Sequence, residues 1–437
     1  MISDPLVFAA TSDIAGKLRG KAFPLSQIEK RLKRGVGWTP TNVQITCFDA
    51  IADSPFGALG DLLLIPDSET TVALDYEDGG PVERLALGDI TDLDGTPWSC
   101  CTRSILKSAL ERLRKAAGLE LVASFEHEFQ FTPTETTPGQ AYTFSGFTRR
   151  RAFGEALMAA LAQAGLGTDT FMKEYGPDQY EITVTPSQGV RPADEAALLR
   201  EITRLTAERV GERATFAPIL DPDNVGNGVH IHMSFLDAAG APATYDPAQP
   251  QGMSATTGSF IAGVLRYLDS IVALTAPSDV SYLRLTPHRW SAAYNNLGFR
   301  DREASLRICP VTATDPESIA KQYNFEYRAA DAAASPHLAL AAIVHAGCQG
   351  IEDALPIPAV TEEDLSVLSA EDLAARGYAR LPETLPAALT RFAENETVTG
   401  WFPEGFAEVY TAHKRGELAW LDDKDTAARC AAYGTVY

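Results

Sequence analysis

The stretch FEHEFQF at 125–131 alternates without a break: Phe125, His127, Phe129 and Phe131 take one parity, and Glu126, Glu128 and Gln130 the other. In a β-strand, side chains of equal parity share a face, so this segment packs an aromatic face and presents two carboxylates on the opposite side. Those carboxylates stand about 7 Å apart, two residues at about 3.4 Å each. One such stretch is explained by an ordinary half-exposed strand, but three later segments repeat the device. In DQYEITVTP, Gln179, Glu181, Thr183 and Thr185 oppose Tyr180, Ile182 and Val184. In GNGVHIHMSF, His230, His232 and Ser234 oppose Val229, Ile231 and Met233. In YNFEYRAAD, Asn324, Glu326 and Arg328 oppose Phe325 and Tyr327. Together they predict one sheet whose apolar face meets a core and whose concave polar face is lined by carboxylates and imidazole.

Glu126, Glu128, Glu174, Glu181, Glu326 and His230 would repel strongly if gathered without cations. Hard oxygen donors without cysteine favour Mg²⁺ or Mn²⁺ over zinc. Two or three such ions with open positions suit phosphoryl transfer. Arg284, Arg302, Arg307 and Arg328 follow within one stretch of chain; planar guanidiniums bind carboxylates and phosphates bidentately. Acids for metals and arginines for anions point to an enzyme joining nucleoside triphosphate chemistry to a carboxylate substrate. No single residue carries this, since glutamates are mostly solvated surface groups and one HxH pair is a weak metal signal. His127, His337, His345 and His413 are assigned to packing, helix surface or solvent.

The first hundred residues read as strands and turns, with strands expected within 7–23, 42–50 and 61–67. Helical periodicity begins at 104–118, with Gly118 as C-cap, and a domain boundary is expected at 98–103. Further helices are expected at 149–165, 192–210, 258–276 and 335–355. The last has Ser335 as N-cap and Pro336 just inside. No run of eighteen apolar residues is present, so no membrane span is expected. The start, MISDPLVFAATSD, lacks the basic and apolar blocks of a secretory signal. Six cysteines without a CxxC pair suggest a reduced, cytoplasmic protein. The formal charge of −21 argues against a nucleic-acid partner, while a nucleotide held through metal ions stays compatible.

The segments FEHEFQF, EYGPDQYEI, NGVHIHMS, YLRLTPHRW…NLGFRDREASLRICP and FEYRAADAAASPHLALAAIVHAGCQGI, in that order, resemble the glutamine synthetase family, above all its type I-related and glutamine synthetase-like members. The resemblance implies an α+β fold: a small β-grasp N-terminal domain over 1–100, then a large catalytic domain over 101–437 whose curved antiparallel sheet is flanked by helices. It implies that ATP phosphorylates the γ-carboxylate of glutamate and that an amine attacks the γ-glutamyl phosphate. By matching position, Glu128, Glu174 and Glu181 would hold one metal ion, and Glu126, His230 and Glu326 another. Gly226 would contact glutamate through its backbone. Arg284, Arg302 and Arg328 would grip the glutamate carboxylates and the transferring phosphoryl group, Arg302 among the catalytic groups. Arg307 and Lys321 would face the ATP phosphates, with His232 and Ser234 near the nucleotide. The resemblance also implies a homo-oligomer of stacked rings, a dodecamer, with each site completed by a neighbour's N-terminal domain.

The departures bear on the amine. Trp290 stands six positions after Arg284, where glutamine synthetases carry a flap glutamate that binds and deprotonates ammonium. The N-terminal aspartate that assists would be Asp49 or Asp53, without the usual DGSS run. The tyrosine-bearing NLY motif is absent, so adenylylation is not expected. Asn324 stands where an arginine often meets the nucleotide, and VGNGVH where NGSGMH is common. Indole cannot accept a proton, yet it stacks over ammonium groups. The expected activity is therefore an ATP-dependent ligase making a γ-glutamyl amide from glutamate and an organic amine, with Trp290 in the amine pocket. The alternatives are glutamine synthesis from ammonia, a catalytically silent structural or regulatory relative, and a metal-dependent hydrolase acting without ATP.

Overall fold

The computed structural model describes residues 2–134 and 137–437. The chain forms an α+β fold with two sheets. Strands β1 (Leu6–Ser12) and β2 (Leu18–Pro24) make a hairpin. Helix α1 (Ile28–Arg34) follows, then β3 (Val36–Trp38), β4 (Leu62–Pro66), β5 (Val72–Leu74) and β6 (Glu83–Thr91). They assemble in the order β2-β1-β6-β4-β3, with β5 also on β6; β1 and β6 run parallel, giving the β-grasp domain.

The segment 42–50, read above as a strand, is not one. Pro40–Gln44 is a 3₁₀ helix, and the chain then turns through Asp49 at φ 57°, closed by pairing of Ile45 with Ile51. The apolar alternation of Val43 and Cys47 serves docking instead. Both are buried, the Val43 carbonyl accepts from His413, and Cys47 packs with Tyr433 and Tyr437 near the C-terminus.

Helix α2 (Thr102–Ala117) is closed by Gly118 in the left-handed conformation. Then come β7 (Leu119–Phe131), α3 (Phe144–Arg149), α4 (Arg151–Gln163), β8 (Thr168–Lys173), β9 (Gln179–Val184) and β10 (Ser187–Gln188). Helix α5 (Arg191–Arg209), β11 (Ala214–Thr215), β12 (Val229–Asp237), α6 (Ala255–Thr275) and α7 (Ser281–Arg284) lead to β13 (Leu297–Phe299) and β14 (Leu306–Ile308). Helix α8 (Pro316–Gln322), β15 (Phe325–Ala330), α9 (Pro336–Glu352) and β16 (Val360–Thr361) follow. Helices α10 (Ala370–Ala375), α11 (Leu385–Glu394), α12 (Glu396–Thr399), α13 (Phe406–Trp420) and α14 (Thr426–Val436) end the chain. The expected helix at 149–165 starts earlier and breaks at Arg150, φ −115°, whose guanidinium is taken by Asp178 and Glu212. Ser335 precedes α9, but its hydroxyl meets Ser12 Oγ at 3.1 Å instead of capping the helix.

The large sheet runs β16-β13-β14-β15-β12-β7-β9-β8, with β10 and β11 also on β7. It is antiparallel except at one edge, where β13 pairs in parallel with β14 and β16. Its apolar face is aromatic: Phe129 lies 5.4 Å from Phe216, and Phe235 lies 5.0 Å from Phe260 of α6. Behind it α6 crosses α9 closely enough that a Cβ built on Gly263 would lie 2.2 Å from the Ala346 carbonyl oxygen, so no larger residue fits. By length and composition α6 could cross a membrane, but 78% of its most apolar stretch is buried inside the fold. Arg103 ties the two sheets together. It bonds Asp67 and Asp89 of the first hundred residues and Asp194 of α5, which also meets His337 at 2.7 Å.

Candidate active site

Strand register builds the site. Across β7 and β9, Glu128 stands opposite Glu181. Across β7 and β12, Glu126 stands opposite His230. Across β12 and β15, His232 stands opposite Glu326, which in turn faces Arg307 on β14. Since parity fixes the face, these pairings draw one polar row across five strands. In β7 the opposite parity, Phe125, His127 and Phe129, is buried.

The row has two electrostatic halves. In the first, His230 Nδ1 lies 2.7 Å from Glu126 Oε1, and His232 Nε2 lies 3.0 Å from Glu326 Oε2. Glu326 Oε1 accepts from Arg307 at 2.6 Å and Arg328 at 2.7 Å. Burial acts to raise Glu126, but hydrogen bonds from His230 and His232 hold it well below the usual carboxylate range. Burial likewise opposes Glu326, and His232, His230 and Arg328 overcome it. Burial and Arg328 push His230 below its ordinary value. His232 is raised well above its own, against burial, by Cys309, Glu126 and Glu326.

The second half is acidic. Glu128 Oε2 accepts from the Gly228 N–H at 2.7 Å and from Gln179 at 3.2 Å. Burial, with the charge of Glu174, pushes Glu128 up to about 7. Glu181 is raised by burial and by Glu126, Glu128 and Glu174. Glu174 Oε2 accepts from the Tyr142 hydroxyl and the Tyr175 N–H, each at 2.8 Å. Glu128 and Glu181 are raised because burial and their acidic neighbours outweigh the nearby cation, Arg284. That donor chemistry fits hard divalent cations, which stabilise clustered carboxylates by direct coordination.

Arg284 is buried beneath the row, donating to Ser291 Oγ at 2.9 Å and to the Ala330 carbonyl at 2.6 Å. A Cβ on Gly226 would lie 2.4 Å from the Pro218 carbonyl oxygen and 2.8 Å from Arg284 Cδ, so this floor requires glycine. Arg328 also reaches the Trp290 carbonyl at 3.3 Å, while Trp290 is 65% exposed on a backbone at φ 54°. Ser234 is half-buried on β12, and Arg302 is exposed on the turn between β13 and β14.

Lys321 is not brought to the row; it pairs with Glu317 on the outer face of α8 at 2.7 Å. Nor do Asp49 and Asp53 meet the row among the described residues: both are exposed, and Asp49 lies 3.5 Å from Arg19. Tyr142 and Gln179 were missed as site residues. The alternation puts Gln179 on the face of Glu181, without assigning it a role in the site. Tyr142 lies on a loop at φ 57° and leaves no periodic trace.

The glutamine synthetase catalytic domain matches residues 99–433, and the glutamine synthetase N-terminal domain matches 4–98. The gamma-glutamylpolyamine synthetase GlnA3 of Streptomyces coelicolor is 31% identical, over 99% of this chain and 93% of its own. The type-1 glutamine synthetase 1 of Dictyostelium discoideum is 30% identical, over 82% of this chain and 76% of its own. A crystal structure of a novel glutamine synthase homolog superposes with a TM-score of 0.90 at 41% identity, covering 100% of this chain and 99% of that one. The chain therefore belongs to the glutamine synthetase family, and it is an ATP-dependent carbon–nitrogen ligase.

Proposed function

We propose that this ligase joins the γ-carboxyl of glutamate to an organic amine through γ-glutamyl phosphate. The observation that carries the reading is Trp290, an exposed indole where a flap carboxylate would serve ammonium. An indole has no proton-accepting atom but offers a face to an alkyl-ammonium group. The similarity to a gamma-glutamylpolyamine synthetase supports the same choice.

Glu128, Glu174 and Glu181 would hold one divalent cation and Glu126, His230 and Glu326 a second, Mg²⁺ or Mn²⁺. Bound there, the cations supply charge neutralisation for the phosphoryl group in transfer. Arg284, Arg302 and Arg328 grip the glutamate carboxylates and the transferring phosphoryl, Arg307 faces the ATP phosphates, and His232 and Ser234 lie near the nucleotide. The γ-carboxylate oxygen attacks the terminal phosphorus and ADP leaves. The amine nitrogen then attacks the acyl carbon, phosphate departs with the bonding pair, and a carboxylate takes the proton from nitrogen. Among the described residues Asp49 and Asp53 contact nothing in their own chain's row, so as the base they would serve a neighbouring copy in a stacked-ring homo-oligomer.

The test is ADP release with glutamate and a panel of ammonia, alkylamines, amino alcohols, polyamines and arylamines. The best organic amine should exceed ammonia in kcat/KM by at least about tenfold, the discrimination a shaped apolar pocket supplies. Preference for ammonia over every organic amine refutes the proposal. One observation favours that second reading: the Tyr142–Glu174 hydrogen bond beside Glu181 places polar acceptors where an ammonium ion could sit.

A further inference from the structure

Just past β14, Cys309 brings its thiol to the nucleotide side of the row. Its Sγ lies 3.6 Å from His232 Nδ1, while Nε2 of the same ring lies 3.0 Å from Glu326 Oε2. One donor atom from each of His232, Cys309 and Glu326 falls within 4.8 Å of the others. Asn324 Oδ1 adds an oxygen 3.0 Å from Nδ1. Cys309 is 7% exposed and the His232 side chain 26%, so the trio is closed behind and reached past the imidazole. Sulfur has little attraction for Mg²⁺. Zn²⁺ takes cysteine sulfur at about 2.3 Å and histidine nitrogen at about 2.0 Å, usually with four ligands.

We propose that His232, Cys309 and Glu326 form an inhibitory Zn²⁺ site, distinct in chemistry from the oxygen-rich sites beside it. The ion enters between Cys309 Sγ and His232 Nδ1, the thiol proton and the Nδ1 proton both leave to solvent, and Glu326 leaves Nε2 and its two arginine partners to reach it. Asn324 or a water completes four ligands. The site shares Glu326 with the proposed Mg²⁺ set and takes His232 from the nucleotide, so filling it stops phosphoryl transfer. The inhibition rests on the ligase reading; the binding does not.

Co²⁺ reports the site on the full chain, because a cobalt–thiolate bond adds a near-ultraviolet charge-transfer band. With Mg²⁺ in excess, one equivalent of Co²⁺ should raise that band. Cys309→Ser and Cys309→Ala should abolish it, and Cys348→Ser, a buried cysteine on α9, should keep it. Zn²⁺ should block ADP release reversibly on chelation. Cys309→Ser should retain Mg²⁺-dependent turnover and need at least about tenfold more Zn²⁺ for half-inhibition, the usual loss on removing an organising metal contact. A missing band, a band unchanged in Cys309→Ser, or equal zinc sensitivity of the two proteins overturns the proposal. Failure of ADP release with every amine defeats the ligase reading, while the cobalt band still decides the site.

Discussion

Metal-stripped protein titrated with Mn²⁺ at pH 6 and at pH 8 tests whether the acidic half of the row exists as described. Glu128 is pushed up to about 7 by burial and Glu174. At pH 6 about ten copies in eleven then carry a proton, and at pH 8 about one in eleven. A cation that takes this carboxylate must expel the proton, which divides the apparent affinity by about 11 at pH 6 and about 1.1 at pH 8. Glu128 alone thus gives about a tenfold gain in apparent affinity across the interval, with about 0.8 more protons released per site at pH 6 than at pH 8. Glu181, raised by burial and three neighbouring carboxylates, contributes with the same sign. Calorimetry in two buffers of different ionisation enthalpy reads both quantities. Stability must follow. A carboxyl raised in the folded state stabilises the metal-free fold below its ordinary value, and that contribution is lost as pH rises through about 7. The melting temperature of metal-free protein should therefore fall from pH 6 to pH 8, while that of Mn²⁺-saturated protein should not follow it down. Glu128→Gln should remove about tenfold of the pH dependence along with affinity. An apparent affinity constant within about twofold over this interval would refute the clustering, because screened, solvated carboxylates titrate far lower.

Two further outcomes follow from contacts away from the ions. Tyr142→Phe removes the hydroxyl that Glu174 accepts at 2.8 Å; a lost hydrogen bond of about 1 kcal/mol should raise KM for the amine about fivefold. An equal rise in KM for ATP would place Tyr142 elsewhere. On α13, Lys414 and Glu417 are both wholly buried and 2.9 Å apart, with His413 3.2 Å from the same carboxylate oxygen. Glu417→Ala strands the buried ammonium and should cost about 3–5 kcal/mol, whereas the paired change Lys414→Met with Glu417→Leu should recover most of it. Thermal melts decide this, and a single variant as stable as the double one would contradict it.

Period-two alternation made the polar row legible because parity is local: Glu126 and Glu128 share a face wherever β7 is placed. Which acid meets which is not local. That Glu128 opposes Glu181 and His232 opposes Glu326 depends on pairing between segments tens of residues apart, and a one-residue slip would turn either partner to the core. The same limit explains the misread segment at 42–50. Val43 and Cys47 have the spacing of a strand, but their partners are His413, Tyr433 and Tyr437 at the far end of the chain. Lys321 was assigned by motif position alone, and its i,i+4 partner Glu317 competes for it at short range. Trp290 shows the two kinds of information meeting. Its identity was plain in the sequence and argues against an ammonium carboxylate. Its pose was not: a left-handed backbone at φ 54° and a carbonyl held by Arg328 fix where the indole leaves the chain. Arg328 also holds Glu326, so the residue proposed to set the amine pocket and the carboxylate proposed to serve the nucleotide side are joined through one guanidinium. A change at Arg328 must therefore disturb the amine and nucleotide ends together, whereas a change confined to the indole ring should alter the amine end alone.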